Sequence, residues 1–304
     1  MSNPKLKVCV MLGGPSTERE VSLRSGAGAA KALRSLGHTV FELDPIEPSW
    51  KLPAGTEIVF LALHGTYGED GTVQEELEKL GVPYTGCGPE ASRVAFDKVL
   101  TKKRCLAAGV PTAPFVVLDS PKAPWPAGWK PPVVLKPVRQ GSSVGLQMVD
   151  DFGQWEASLA EAFRFDSEVL MEERIMGREA TVGILDDQPL PVAEVRAKQG
   201  FFDYANKYTP GAAEHFCPAR FDPELTARIQ EAAMGAFRAV GGRDFARVDV
   251  MVRPNGDPIV LEVNTLPGMT ELSILPEAAA AAGVSYARLC QRMLDLALKR
   301  SPKK

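Results

Sequence analysis

The segment that most constrains this chain is Phe245 to Thr270, FARVDVMVRPNGDPIVLEVNTLPGMT. Two runs of alternating apolar and polar residues, Arg247 to Val252 and Ile259 to Asn264, flank Pro254-Asn255-Gly256-Asp257. Asn-Gly between such runs is the strongest short hairpin signal, because both residues accept positive φ. With Asn255-Gly256 as a two-residue loop, Asp249 faces Glu262 and Arg247 faces Asn264. Strand alternation then places all four on one face. Val248, Val250, Val252, Ile259, Leu261 and Val263 form an apolar opposite face. Facing carboxylates, with β-carbons roughly 5 Å apart, repel unless neutralised. With the Asn264 amide oxygen they make an all-oxygen set suited to a hard divalent cation, Mg²⁺ or Mn²⁺. A solvated hairpin face is the alternative, and a three-residue loop would undo the register.

The 304 residues exceed one typical core, so two or three packed units are expected. A net charge of −3 offers no general attraction for nucleic acid or an anionic membrane, so any phosphate site must be local. The five cysteines are odd in number and widely spaced, with no Cys-x-x-Cys pair, which fits reduced thiols in a cytoplasmic protein. No segment approaches the ~18 apolar residues of a membrane span, and the short N-terminal apolar run passes straight into glycines. The three histidines lack metal-ligand spacing, which disfavours a zinc enzyme.

Residues 1 to about 90 alternate strand and helix. Strands at Leu6 to Leu12, Thr39 to Leu43 and Glu57 to Leu63 are interleaved with helices from Thr17 to Gly37 and Thr72 to Leu80. That order predicts a doubly wound parallel sheet with ligands beyond the carboxyl ends of its strands, where Gly13-Gly14 and His64-Gly65 lie. Glu18, in the first turn of the first helix, points a carboxylate at the same crevice or simply complements the helix dipole. Gly-x-Gly-x-x-Gly is absent from the first turn, which disfavours a nicotinamide cofactor. A single helix is expected from Glu90 to Ala108, with Lys98 in its middle. The proline-rich stretch Asp119 to Pro132 leads into a second unit. There Lys136 ends a buried strand and the loop Val138 to Gly145, containing Ser142 and Ser143, precedes another strand. That loop is either a phosphate cradle of backbone N–H groups or a plain hairpin turn, and it is no P-loop. The segment Lys198 to Glu214, aromatic and basic, reads as a functional lid.

Together these motifs resemble the D-alanine–D-alanine ligases of the ATP-grasp superfamily over almost the whole chain. The resemblance is carried by Gly13-Gly14 with Glu18 to Ser22, His64-Gly65 with Gly68 to Gly71, Asp97-Lys98, and Lys136-Pro137 with Gly141 to Gly145. Further along it is carried by Tyr204 with Lys207-Tyr208, Phe216 to Ala219, Arg247 to Met251, and Glu262 to Thr265 with Pro267 to Thr270. It implies an α/β ATP-grasp fold in three parts: an N-terminal substrate domain over residues 1–96, a central subdomain over 97–178, and a C-terminal subdomain over 179–304 that carries the metal site and lid.

The resemblance also assigns roles. ATP would lie between the central and C-terminal sheets, with Lys98 and Lys136 on its phosphates, Ser142, Ser143 and Lys207 in its site, Glu179 on the ribose, and Glu172 with Phe201 at the adenine. Asp249, Glu262 and Asn264 would hold two Mg²⁺ or Mn²⁺ ions. Glu18 would bind the first D-alanine's ammonium beside His64, and Arg247 with the Gly268 N–H would form the oxyanion site. Ser273 and Lys207 would hold the second carboxylate, and Glu18, Ser142 and Tyr208 would position the lid. The implied reaction passes the γ-phosphate to one D-alanine carboxylate, and the amine of the second D-alanine then displaces phosphate. Such chemistry needs positioning and charge neutralisation more than a nucleophilic side chain. It implies a cytoplasmic enzyme of peptidoglycan synthesis and allows a homodimer. D-lactate or D-serine as the acceptor, or a non-catalytic nucleotide-binding module, are the alternatives. Gln140 and Glu173 depart from the family pattern.

Overall fold

A computed structural model describes residues 5–47, 49–197, 213–271 and 273–300. Among these residues the strands form three sheets. In the first, β1 (Lys7–Met11) runs between and parallel to β2 (Thr39–Leu43) and β3 (Ile58–Leu61), as the βαβ order predicts. Helix α1 (Arg19–Ser35) and helix α2 (Thr72–Leu80) follow β1 and β3. The apolar face of this sheet is sealed by the far end of the chain: Leu289, Met293 and Leu294 of the last helix, Tyr286–Arg300, share a core with Val8, Val10 and Phe60.

Helices α3 (Pro89–Phe96) and α4 (Lys98–Ala107) stand where one helix was expected. Asp97 causes the break. Its backbone is extended (φ −88°, ψ 106°), and its carboxylate accepts the Leu100 N–H at 2.9 Å as the N-cap of α4. Lys98 is therefore the first residue of a helix rather than mid-helix. Its ammonium turns to the Gln140 carbonyl at 2.5 Å.

The second sheet has the antiparallel order β4 (Phe115–Leu118), β7 (Val169–Glu173), β5 (Val133–Pro137), β6 (Gln147–Val149). Helix α5 (Trp155–Ala162) covers it, burying Trp155 and Leu159 against Val133 and Leu135. The third sheet runs β11 (Ala213–Phe216), β10 (Ala193–Ala197), β8 (Arg178–Leu185), β12 (Phe245–Val252), β13 (Pro258–Asn264), with short β9 (Gln188–Pro189) paired to β8. Helix α6 (Pro223–Ala239), capped by Asp222, buries Ile229, Ala233 and Phe237 on Val248, Val250 and Val263. Each large apolar side chain so buried contributes about 1.5–3 kcal/mol. Ala91, Val94 and Cys105 of α3 and α4 join the same core. Two further helices close the chain, α7 (Ile274–Ala281) and α8, the Tyr286–Arg300 helix.

The β12–β13 hairpin corrects the expected loop and keeps the expected register at the site. Arg253 N bonds Asp257 O at 3.0 Å, so Pro254, Asn255 and Gly256 make a three-residue loop. That loop shifts the pairing by one, giving Val252 opposite Pro258 and Val250 opposite Val260. The shift is then reversed: Asp249 pairs with Glu262, leaving Leu261 as the extra residue of a β-bulge. Arg247 faces Asn264, as expected. The bulge also changes the faces. Val260 is buried with Val248, Val250, Val252 and Val263, whereas Ile259 packs with Met251, and Leu261 lines a cavity beside Glu262.

Candidate active site

Two cavities meet between the three sheets. The larger, about 920 Å³, is lined from the first sheet's side by Glu18 and His64, from the start of α4 by Lys98, from the loop after β5 by Ser142, and from the third sheet by Glu179, Arg247 and Asp249. Glu262, Asn264, Gly268 and Ser273 complete its floor. The smaller, about 130 Å³, lies between the second and third sheets, with Val134, Met148, Ile175, Met251 and Leu261 as apolar walls and Lys136, Ser143 and Glu172 as polar ones. Lys98, Glu179, Asp249 and Glu262 line both. A slot with apolar walls and convergent charges opening into a polar cleft suits a ligand with a flat apolar part and an anionic tail.

The slot's charges are balanced internally. Glu172 is 2% exposed, with one oxygen 2.5 Å from the Lys136 ammonium and the other 2.7 Å from that of Lys102. Burial alone would raise the Glu172 carboxyl, but the two ammonium charges outweigh it and hold the group below the usual carboxylate range. Burial also opposes the charge on Lys136, yet Glu172, with Glu262 and Glu179 beyond it, holds its ammonium above the ordinary lysine range. On Lys102 burial wins over Glu172, and the ammonium sits lower.

In the larger cleft the Ser142 hydroxyl donates to the Glu18 carboxylate. Ser142 and Ser143 both adopt left-handed backbone, φ 50° and 60°, a strained arrangement for non-glycine residues that turns the loop toward α1. Gly141 permits the approach: a β-carbon there would lie 2.7 Å from Glu18 Oε2. Arg139 anchors the loop through Asp166 at 2.6 Å and Glu168 at 2.7 Å.

On the hairpin, Arg247 donates from Nε to Asp249 Oδ1 at 2.9 Å and from Nη2 to Oδ2 at 2.8 Å, and lies 4.0 Å from Glu262. Thr181 on β8 donates to Asp249 Oδ1 at 2.9 Å. Asn264 Oδ1 accepts the Leu266 N–H at 3.0 Å, turning the chain out of β13. Among the described residues no group of three or more His, Cys, Asp or Glu side chains is placed to hold a metal. A cation held here would rest on two cross-strand carboxylates and one amide, a donor set whose chemistry fits Mg²⁺ or Mn²⁺.

His64 lies below the segment Leu266 to Met269. Its Nδ1–H donates to the Leu266 carbonyl at 3.0 Å, and Nε2 meets the Ser25 hydroxyl, also at 3.0 Å. Ser25 Oγ accepts the Met269 N–H at 3.1 Å. One neutral tautomer satisfies all these groups: Met269 N–H donates to Ser25, Ser25 O–H donates to Nε2, and Nδ1–H donates to Leu266. Glu69 packs beside Nδ1 at 3.5 Å, and its carboxyl is pushed up by burial and by the charge of Glu18, against the pull of His64. The Ser273 hydroxyl does not cap its own helix. It bonds Thr270 at 2.8 Å and leaves no room for a side chain on Gly268.

The sequence model described as D-ala D-ala ligase C-terminus matches residues 106–295, and that described as D-ala D-ala ligase N-terminus matches residues 42–87. The chain belongs to the D-alanine–D-alanine ligase family. A D-alanine–D-alanine ligase from Methylacidiphilum infernorum is 43% identical, over 98% of each chain. Crystal structures of the Bacillus anthracis D-alanine–D-alanine ligase, alone and complexed with ATP, match with TM-scores of 0.85 and 0.84 at 35% and 32% identity, covering 97% of this chain and 98% of theirs. The VanG D-Ala:D-Ser ligase of Enterococcus faecalis matches with a TM-score of 0.84 at 29% identity, over 97% of this chain and all of that one. The three-sheet architecture is thus the ATP-grasp fold of this ligase family.

Against the ligase pattern, the described expectations gather at one place. Glu18, His64, Lys98, Ser142, Glu179, Arg247, Asp249, Glu262, Asn264, Gly268 and Ser273 border the larger cleft, and Lys136, Ser143 and Glu172 the slot. Tyr204, Phe201, Lys207 and Tyr208 lie outside the described residues. Of the two departures from the ligase pattern, Gln140 bonds the Phe165 carbonyl at 3.0 Å, and Glu173 pairs with Arg253 at 2.8 Å, tying β7 to the hairpin loop. Sequence reasoning passed over Ser25, Lys102 and Thr181. All three are ordinary residue types within regular elements, and only tertiary packing brings them to the site.

Proposed function

We propose that this chain joins two D-alanines into D-alanyl-D-alanine at the expense of ATP, releasing ADP and phosphate, as a step of peptidoglycan synthesis in the cytoplasm. The observation that carries the reading is the junction of the two cavities at Lys98, Glu179, Asp249 and Glu262. A nucleotide seated in the slot would extend its phosphates into the cleft where an amino acid meets Glu18.

In this reading the chain works as three parts, residues 1–96, 97–178 and 179–304. The slot between β5–β7 and β12–β13 takes the adenine against Glu172 and Phe201, Glu179 holds the ribose, and Ser142 and Ser143 border the phosphates. Lys98 and Lys136 draw charge from the phosphate oxygens as the γ-phosphoryl group moves to the carboxylate of the first D-alanine. Glu18 holds that substrate's ammonium end with His64 beside it at the substrate site, and Ser142 keeps Glu18 oriented. Arg247 and the Gly268 N–H face the oxygen that gains charge when the second amine attacks. Ser273 and Lys207 fix the second carboxylate, and Glu18, Ser142 and Tyr208 position the lid. Asp249, Glu262 and Asn264 would hold two Mg²⁺ or Mn²⁺ ions, which when bound neutralise triphosphate charge. The family context allows a homodimer.

The test is incubation with ATP, Mg²⁺ and D-alanine, with D-lactate or D-serine in competition. Mass spectrometry should find D-alanyl-D-alanine as the main product, with equal amounts of ADP and phosphate. Nucleotide binding without turnover would point to the non-catalytic module instead.

A further inference from the structure

The buried cluster at the slot holds one more cation than its carboxylate needs. Glu172 on β7 binds two ammonium groups, and the two differ in place. Lys136 ends β5 and borders the slot. Lys102, on α4, is 1% exposed and lines neither cavity. Its other contacts hold it fast: it donates to Thr112 Oγ1 at 2.7 Å and sits 5.3 Å from the centre of the Phe115 ring. Thr112 in turn donates to the Val260 carbonyl at 2.9 Å, one residue before the bulge at Leu261.

Burying a second lysine is costly unless its charge is used. If Lys136 were the only partner of Glu172, drawing it onto phosphate would strand a buried carboxylate. Glu172 would then hold Lys136 back or take up a proton. A protonated carboxyl donates a hydrogen bond, whereas an ionised one only accepts. The protonation state therefore decides whether the slot receives a base through an exocyclic amine or a carbonyl.

We propose that Lys102 is a positioning residue of the nucleotide site: it neutralises Glu172 from behind, so that Lys136 can move to phosphate while Glu172 stays an ionised acceptor for a 6-amino purine. The proposal rests on the ATP-dependent reading above. Lys102 acts through Glu172 without touching the nucleotide, and by this route it sets both the affinity for the triphosphate and the preference for a 6-amino over a 6-oxo base.

The experiment compares wild type, Lys102→Met, Glu172→Gln and the double variant, with ATP and with inosine triphosphate, measuring KM and kcat for each nucleotide and KM for D-alanine. Lys102→Met should raise KM for ATP about tenfold or more, with KM for D-alanine moving by less than about twofold, and should narrow the ATP-over-inosine preference. In the Glu172→Gln background the lysine change should add less than about twofold, since its partner is already neutral. Should Lys102→Met fail to fold, this second comparison still decides. An unchanged KM for ATP in folded Lys102→Met, equal rises for both substrates, or a further rise in the double variant would each overturn the proposal. A double variant that does not fold assigns Lys102 to stability alone and overturns it too. Wild-type protein that makes no dipeptide would count against the ligase reading instead.

Discussion

Arg247→Met tests whether the hairpin's carboxylates form a cation site, and its readout does not depend on turnover. In the structure the Arg247 guanidinium spans both Asp249 oxygens and lies 4.0 Å from Glu262. Methionine keeps much of the volume and removes the charge. Two like charges at the roughly 5 Å spacing of facing β-carbons, at an effective dielectric near 20, repel by ~3 kcal/mol. Glu262 is 31% exposed at its side chain, so solvent screening lowers the cost to about 2 kcal/mol. For a chain of this length that is a fall of about 4 °C in Tm, taking ~2 °C per kcal/mol. A divalent cation supplies the missing charge. Thermal unfolding with increasing Mg²⁺ should therefore raise the Tm of Arg247→Met more than that of wild type, narrowing the gap. The same Mg²⁺ shift in both proteins, or no gap without Mg²⁺, would refute the reasoning.

Gly141→Ala should raise KM for D-alanine about tenfold or more and leave the affinity for ATP measured without D-alanine nearly unchanged, because the new β-carbon would lie 2.7 Å from Glu18 Oε2; an equal loss of ATP affinity in the absence of D-alanine would contradict it. Ser25→Ala strips the acceptor from the buried Met269 N–H and should cost about 1–3 kcal/mol in urea unfolding, with a lower kcat from a displaced Gly268. Glu194, 2% exposed and bridged by Arg178 and Arg196, has its carboxyl held down to about 2, first by its bonds to Arg178. Its stabilisation is complete above the ordinary carboxylate range and is lost as pH falls through that range toward 2. Both guanidiniums are well exposed, so Glu194→Gln should cost about 2 kcal/mol at neutral pH rather than the full linkage value. A wild-type advantage that persists unchanged into acid would disprove this account.

The hairpin shows how a sequence can disclose a site while misstating its geometry. Alternation correctly paired Asp249 with Glu262, although Pro254 joins the loop and shifts the register. The bulge at Leu261 shifts it back. Nothing in a run such as Ile259-Val260-Leu261-Glu262 marks the extra residue, because three successive apolar side chains suit either face. The bulge is stabilised from outside the strand: Val260 is held by Thr112 and Pro111, and Leu261 is left to line the slot. Asp97 is the reverse case. Its capping signal was present, followed by a helical run, but the run before it was helical too, and only backbone geometry separates α3 from α4. The parallel N-terminal sheet was legible because βαβ order leaves few other solutions. That its apolar face is closed by α8 was not, since helix periodicity reveals an apolar stripe without its partner.

The charged groups proposed to hold ligands are already matched inside the protein: Arg247 on Asp249, Lys136 on Glu172, Ser142 on Glu18, and Lys98 on the Gln140 carbonyl. Binding would then exchange one set of partners for another instead of stripping water from bare charges. Such an exchange keeps the desolvation cost low and avoids isolated buried charge before the ligand arrives. It also couples the parts. A nucleotide that draws Lys98 from Gln140 acts on the loop whose next residues carry Gly141 and Ser142, and Ser142 in turn orients Glu18. The first D-alanine should consequently bind more tightly once a nucleotide is present, and by linkage the nucleotide should gain by the same factor. Calorimetric titration of D-alanine with and without a non-hydrolysable ATP analogue measures that factor. In Gly141→Ala, where the loop can no longer close on Glu18, the two titrations should give the same affinity, and coupling that survives the substitution would place the link outside this loop.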